Sequence, residues 1–136
     1  MVSNYSKKQM VEELERELSI RKSFYARQIK KGLMERKLAN KYWDRMYSAK
    51  IFIDNGNVKI KGITLKDMAV ELRRELHLRI DYYAKLIKMG EMTRDKANDQ
   101  YLRMKAALDY IVACDMNNKG SQTQLFMNAK TNYNEN

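Results

Sequence analysis

The sequence predicts an all-α protein in which two tandem helical hairpins pack together as a four-helix bundle. Residues 10–53 and 68–111 align without a gap at a spacing of 58 positions, and 20 of the 44 aligned pairs are identical. Such internal similarity is typical of a duplicated supersecondary unit. The chain also contains no proline, and its five glycines fall where the apolar pattern breaks. Breakers confined to these boundaries favour a chain that is helical almost throughout.

The first helix of each repeat begins at a capping signal. Ser6 is followed three residues later by Gln9, and Thr64 is followed at the same spacing by Asp67. Such a pair satisfies two backbone N–H groups that the first turn of a helix leaves without partners. Apolar residues then recur at helical spacing in both copies. They are Met10, Leu14, Leu18, Tyr25 and Ile29 in the first repeat, and Met68, Leu72, Leu76, Tyr83 and Ile87 in the second.

A short turn separates the two helices of each repeat. Gly32 and Gly90 follow the first helix and suit the left-handed residue that commonly closes a helix. The second helix is expected to start near Glu35 in one copy and at a Thr93 cap in the other. Because so short a turn makes the two helices antiparallel, each repeat is a hairpin, with bounds of 1–53 and 64–116. Two such hairpins can bury their apolar stripes against each other.

The segment between the repeats, residues 54–63, is predicted to be a short extended linker. Val58 and Ile60 alternate with Lys59 and Lys61, which is the pattern of a half-buried strand. The simpler interpretation is a connector packed over the bundle. The alternative is an edge strand that pairs with its counterpart in a homodimer, because an isolated strand leaves its hydrogen-bonding groups unsatisfied.

Residues 117–136 are predicted to form a polar tail. The segment is rich in Asn, Gln, Ser and Thr, which on composition alone favours flexibility. Its one apolar cluster, around Leu125 and Phe126, could instead dock on the bundle or on a partner, and both residues are candidate partner contacts.

Composition excludes several functional classes. Cys114 and His77 are the only cysteine and histidine, too few for a zinc site or an internal disulfide. His77 is replaced by Ser19 in the other repeat, which is unexpected for a catalytic base. No apolar run approaches the ~18 residues that would cross a bilayer. We therefore expect no enzymatic activity, cofactor, metal or membrane partner, and a location in the cytoplasm or in a virion. The net charge of +10 favours a polyanionic partner.

Arg21 and Arg79 stand within the apolar stripes, where an unpaired charge would be costly. Glu17 and Glu75 lie four residues earlier, so one interpretation is a structural ion pair, within one helix or between the two hairpins, that fixes their register. The other is a pair of guanidinium groups that grips a phosphate or carboxylate. Further candidate nucleic-acid or anion-binding residues cluster near the ends of the two first helices. They are Arg27, Lys30, Lys31, Lys85 and Lys88.

Phe24 and Tyr82 each precede a stripe tyrosine and lie about 100° round the helix from it, so they are expected to be exposed. Exposed aromatic rings beside cations can stack on unpaired bases. The same residue types also occur where helices contact partner proteins. Both residues are candidate partner contacts on either hypothesis.

The repeated string Glu-Leu-x-Arg-Glu-Leu-x-x-Arg, then Tyr25 or Tyr83, then Ile-Lys-x-Gly resembles small phage-encoded helical proteins. Those proteins contain a single copy of the unit and often have a proline after the tyrosine, where this chain has Ala26 and Ala84. The resemblance implies a phage or prophage origin.

Together these observations give two functional hypotheses. The first is a non-enzymatic phage accessory protein whose basic helical surface binds nucleic acid or an acidic host protein such as a nucleoprotein, as replication or anti-defence factors do. The second is a structural virion or assembly component that uses its hairpins and tail for contacts with neighbouring proteins.

Overall fold

Four α-helices make up the computed structural model, and the prediction of an all-α bundle is confirmed. The structure describes residues 4–57 and 60–132, and from residue 118 onward only the backbone is described. Within these ranges there is no strand. The helices are α1 (Lys7–Lys30), α2 (Arg36–Asn55), α3 (Leu65–Lys88) and α4 (Arg94–Asn132).

Both predicted capping boxes are present. The Gln9 backbone N–H donates to the Ser6 hydroxyl at 3.1 Å, and the Ser6 N–H donates to the Gln9 side chain at 2.8 Å. Thr64 and Asp67 make the same two bonds at 3.1 Å each. These contacts satisfy N–H groups in the first turn and fix where α1 and α3 begin.

The first helix of each repeat ends in the same way. Gly32 and Gly90 have positive φ angles of 73° and 75°, in the left-handed region that costs glycine little. The following N–H groups, of Leu33 and Glu91, turn back to carbonyls near the helix end at 2.9 Å. This pattern is the Schellman closure, and it reverses the chain into the next helix.

The two hairpins pack against each other mainly through α1 with α4 and α2 with α3. α1 packs on α2 and α3 packs on α4 within the repeats, while α1 also contacts α4 and α3 contacts α2. The predicted stripes form the centre of the core. Its fully buried apolar side chains include Leu14, Met46, Ile53, Met68, Leu72, Met104 and Ile111.

The segments outside the repeats are only partly described. α2 ends at Asn55, and the Ile63 N–H bonds to the Ile60 carbonyl at 3.3 Å before α3 begins. Val58 and Lys59, which carry the strand hypothesis, lie outside the described residues. α4 continues to Asn132, past residue 116 where the sequence predicts its end. No proline interrupts this part, and one glycine inside a helix costs only about 1 kcal/mol.

Ser48 provides a test of the core packing. Its side chain is fully buried, and its hydroxyl has no hydrogen-bond partner in the described structure. The equivalent residue of the second repeat is Ala106, also buried. Because a buried unsatisfied hydroxyl is unfavourable, we expect Ser48→Ala to raise the free energy of unfolding by about 1 kcal/mol. The reverse change, Ala106→Ser, should lower it. Urea denaturation measures both, and a destabilised Ser48→Ala variant would contradict the packing.

Asp67 should make the capping of α3 depend on pH. The bond that its carboxylate accepts from the Thr64 N–H lowers the pKa of Asp67 below its ordinary value. The unfolded chain therefore binds this proton more readily. The stabilisation is present above the unfolded pKa and is lost as pH falls through the folded pKa. We expect a carboxyl NMR titration to give a midpoint below that of an unstructured Asp, and Asp67→Asn to remove this acid-linked loss. Gln9, which occupies the same position without titrating, is the internal control.

Candidate functional site

Arg21 and Arg79 lie near the middle of α1 and α3 with only 2% of their surface exposed. They belong to the buried face because they continue the spacing of the apolar stripes. Glu17 and Glu75 stand one turn earlier on the same face, which places each carboxylate beside the arginine of its own helix.

These four side chains form a closed ring, here called the ion-pair ring. Glu17 Oε2 lies 3.2 Å from Arg21 Nε, and Arg21 Nη2 lies 2.8 Å from Glu75 Oε1. Glu75 Oε2 lies 2.9 Å from Arg79 Nε, and Arg79 Nη2 lies 3.0 Å from Glu17 Oε1. Each glutamate thus bridges both arginines. Two of the four links join the repeats, so the ring fastens one hairpin to the other.

Two further carboxylates complete the coordination of the arginines. Glu71 Oε2 lies 2.8 Å from Arg21 Nη1, and Glu13 Oε2 lies 2.8 Å from Arg79 Nη1. The same Nη1 atoms also donate to backbone carbonyls of the second helices, those of Tyr42 and Gln100, at 3.1 and 2.8 Å. Every nitrogen of both guanidinium groups therefore has a partner.

Arg16 and Arg74 close the cluster on its outer side. Each makes two bonds to one carboxylate, Arg16 to Glu13 at 2.6 and 3.2 Å and Arg74 to Glu71 at 2.7 and 3.1 Å. The whole cluster consists of four arginines and four glutamates. It is electrically balanced, which is what a buried set of charges requires.

Tyrosine hydroxyls link the outer arginines to the other repeat. Arg16 donates to the Tyr83 hydroxyl at 3.2 Å, and Arg74 donates to the Tyr25 hydroxyl at 3.4 Å. Tyr83 also donates to the Gln100 side chain at 3.2 Å. Burial raises the pKa of both Tyr25 and Tyr83 despite the nearby arginines, so both keep their protons at neutral pH.

The charges of the ion-pair ring depend on one another. Burial alone would lower the pKa of Arg21 and Arg79, but the surrounding carboxylates outweigh this effect. The pKa of each arginine is therefore raised above its ordinary value, and both arginines stay charged. Burial and the charge of Glu75 raise the pKa of Glu17. At Glu75 the two arginines outweigh burial and lower the pKa. The two carboxylates share the same two arginines, so they titrate as one unit.

The ring spans a wide gap between α1 and α3. No Cα atoms of these two fully described helices approach within 8 Å, so the helices meet through long side chains. A cleft of about 750 Å³ lies between α1 and α3. Buried ring residues form its floor, and exposed apolar side chains form its walls. The walls include Ile20, Phe24, Leu78 and Tyr82, and the half-buried side chains of Met34, Leu86 and Met92 also line the cleft.

The structure divides the predicted anion-binding residues into two groups. Arg21 and Arg79 are buried and fully engaged, which favours the ion-pair interpretation of these two residues. The other five cations are all exposed and take part in none of the ion pairs found among the described residues. They are Arg27, Lys30, Lys31, Lys85 and Lys88, here called the basic turns. Arg27 itself lines the cleft.

Among the predicted partner contacts, Phe24 and Tyr82 are 43% and 58% exposed and lie in the cleft at equivalent positions of the two repeats. The side chains of Leu125 and Phe126 lie outside the described part of the structure.

Carboxylates come together here without forming a metal site. Each glutamate of the cluster is bonded to an arginine. No group of His, Cys, Asp and Glu among the described residues is arranged to hold a metal ion. His77 lies exposed on α3, outside this cluster. None of the helices, over the part that is described, combines the length and apolar character needed to span a membrane.

Sequence reasoning missed two parts of the site. One is the outer pair Arg16 and Arg74, and the other is the wall pair Ile20 and Leu78. A signal for both was present, because each pair occupies the same position in the two repeats with the same chemical character. Neither position lies on the main apolar stripe, which is where Arg21 and Arg79 were predicted.

Comparison with protein-family models, curated proteins and solved structures finds no match to the chain. The functional assignment therefore depends on the geometry of the site itself.

Replacing one ring residue should be more costly than replacing two. Arg79→Met leaves the four glutamates of the cluster with three arginines, so one buried negative charge is uncompensated, and we expect a loss of about 3–5 kcal/mol in the free energy of unfolding. Adding Glu75→Leu restores charge balance and should recover a large part of that loss, because an apolar pair can replace a buried ion pair. Thermal and urea unfolding of the single and double variants measure the effect. A double variant no more stable than the single would contradict the role of the ring.

An exposed ion pair in α4 gives the matched control. Lys105 Nζ lies 2.6 Å from Asp109 Oδ1, but both side chains are about half exposed. Surface pairs of this kind typically contribute well under ~1 kcal/mol. We therefore expect Lys105→Met to leave stability almost unchanged.

Proposed function

We propose that this chain is a non-enzymatic phage accessory protein that binds nucleic acid, alone or within a host nucleoprotein, through its basic turns. The supporting observation is that all five cations of the basic turns are exposed and free of the ion pairs found among the described residues. The arginines of the ring are neutralised inside the fold, so a polyanionic partner must be bound by exposed cations such as these.

The position of the basic turns supports a single binding region. Arg27 and Met34 from the end of the first hairpin line the same cleft as Leu86 and Glu91 from the end of the second. The two basic turns therefore flank one opening. Cations on both sides of a groove suit a phosphate backbone, because neutralised phosphates release their counterions.

A structural role in a virion or its assembly is the second candidate. The walls of the cleft favour it, because exposed apolar side chains grouped in one concavity commonly mark a protein interface. On this hypothesis the bundle is a docking unit, and its positive charge guides association.

Salt dependence tests the nucleic-acid function. We expect the affinity for a single-stranded oligonucleotide to fall steeply from low to physiological salt, because binding releases counterions. Replacing Lys30, Lys31 and Lys88 by Gln should weaken binding and flatten the slope of log affinity against log salt. Fluorescence anisotropy across a salt series measures both. Affinity that does not change with salt would exclude this function and leave the structural one.

The matched control removes the same charge elsewhere. Lys8, Lys61 and Lys66 are exposed, and they lie at or just before the amino-terminal ends of α1 and α3. Their replacement by Gln should change the affinity much less than the basic-turn variant does. Equal loss in the two triple variants would show that net charge alone, and not the basic turns, determines binding.

A further inference from the structure

We propose that the cleft between α1 and α3 binds an amphipathic helix of a partner protein, with the apolar face of that helix inserted and its outer face acidic. The affinity of this site comes mainly from the walls of the cleft, and the basic turns only assist association, so the proposal goes beyond the proposed binding of nucleic acid and can hold or fail separately.

The walls of the cleft have the chemistry of a helix-binding groove. Ile20, Phe24, Leu78 and Tyr82 are between 43% and 58% exposed. Ile20 and Phe24 come from α1, and Leu78 and Tyr82 occupy the equivalent positions of α3. Two facing walls with the same apolar character can hold an inserted ridge of apolar side chains from both sides. This is the mode in which helices bind grooves, through residues at i, i+3 or i+4 and i+7.

The floor of the cleft argues against a small anionic ligand. Arg21 and Arg79 line it, but their guanidinium nitrogens are already bonded to Glu13, Glu17, Glu71, Glu75 and two backbone carbonyls. A phosphate or carboxylate would have to displace one of these partners and add a further negative charge to a buried cluster that is already balanced, which is costly. Affinity in the cleft must therefore come mainly from burial of its apolar walls.

The charges around the opening select an acidic partner. Arg27 and Lys96 line the cleft without an ion-pair partner among the described residues, and the lysines of the basic turns flank it. The whole chain carries a net charge of +10. A helix with an acidic outer face would match these cations and associate faster because of them. A second copy of the chain is disfavoured, because two molecules of this charge repel each other.

The interior of the cleft also disfavours a nucleic-acid strand. The four arginines of the cluster line it, but each is bonded to a glutamate of the cluster, so they leave little free positive charge for a phosphate. The apolar interior and the cationic rim therefore favour different ligands, a helix inside and polyanions at the edge.

Selection of peptides on the full chain tests the proposal. A displayed library of random peptides about four helical turns long is selected on the intact protein. We expect enriched sequences to carry apolar residues at i, i+3 or i+4 and i+7, with Asp and Glu at most other positions. Absence of enrichment, or enrichment of basic or non-amphipathic sequences, would overturn the proposal.

One enriched peptide is then titrated into matched variants by calorimetry. Ile20→Gln with Leu78→Gln should weaken binding roughly tenfold or more, whereas Val70→Gln with Leu102→Gln should stay within about twofold of the unchanged chain. Val70 and Leu102 are equally exposed apolar residues outside the cleft. All four lie on helix surfaces, and circular dichroism checks that each variant keeps its helical content. Equal effects in the two double variants would overturn the proposal.

Two competition results would also overturn it. If a short single-stranded oligonucleotide displaces the peptide and loses its own affinity in the Ile20→Gln, Leu78→Gln variant, the cleft binds nucleic acid. If sedimentation shows a dimer that this variant converts to monomers, a second copy occupies the cleft. Loss of oligonucleotide binding in the basic-turn variant alone, with peptide binding intact, supports two separate sites.

Discussion

The closed ring of Glu17, Arg21, Glu75 and Arg79 is the interaction on which the rest of the structure depends. It places two permanent positive charges in the centre of the bundle, where they are tolerated only because carboxylates from both repeats surround them. Neither hairpin can satisfy its own arginine, since each guanidinium group also needs glutamates of the other repeat. The ring therefore fixes how the two hairpins meet, in a way that apolar stripes alone would not.

The ring also explains why a cleft exists. Long side chains hold α1 and α3 apart, so their backbones do not pack closely, and the space between them opens to solvent. Duplication then gives the two walls similar apolar residues at equivalent positions, Ile20 and Phe24 on α1 and Leu78 and Tyr82 on α3.

The repeats differ where the site faces the second helices. Tyr42, which stacks on Arg74 at 3.5 Å, is replaced by Gln100, which accepts a bond from Tyr83. The surroundings of the outer arginine Arg74 and of Tyr83 are thus chemically distinct despite the shared framework.

Much of the architecture could be predicted because local signals agreed. Ser6 and Thr64 marked the helix starts, Gly32 and Gly90 marked the helix ends, and the stripes marked the buried faces. The pairing of Arg21 with Glu17 followed from helical spacing. The pairing of Arg21 with Glu71 and Glu75 did not follow from helical spacing, because contacts between the repeats depend on how the two hairpins pack together.

The cleft was not predictable either, since Ile20 and Leu78 look like ordinary surface residues until the gap between α1 and α3 is known. The end of α4 differed from the prediction because polar composition weakens a helix without stopping it.

The most direct test of the ring is hydrogen exchange at the Nε–H groups of Arg21 and Arg79, followed by NMR over a series of low denaturant concentrations. If both guanidinium groups are enclosed by the carboxylates of the two repeats, their Nε–H groups can exchange only when the hairpins separate. Their exchange should then show the same free energy and the same denaturant dependence as the backbone amides of Leu14 and Leu72 in the core. Exchange near the rate of an exposed arginine such as Arg27, or exchange without denaturant dependence, would show that the ring opens locally and does not hold the repeats together.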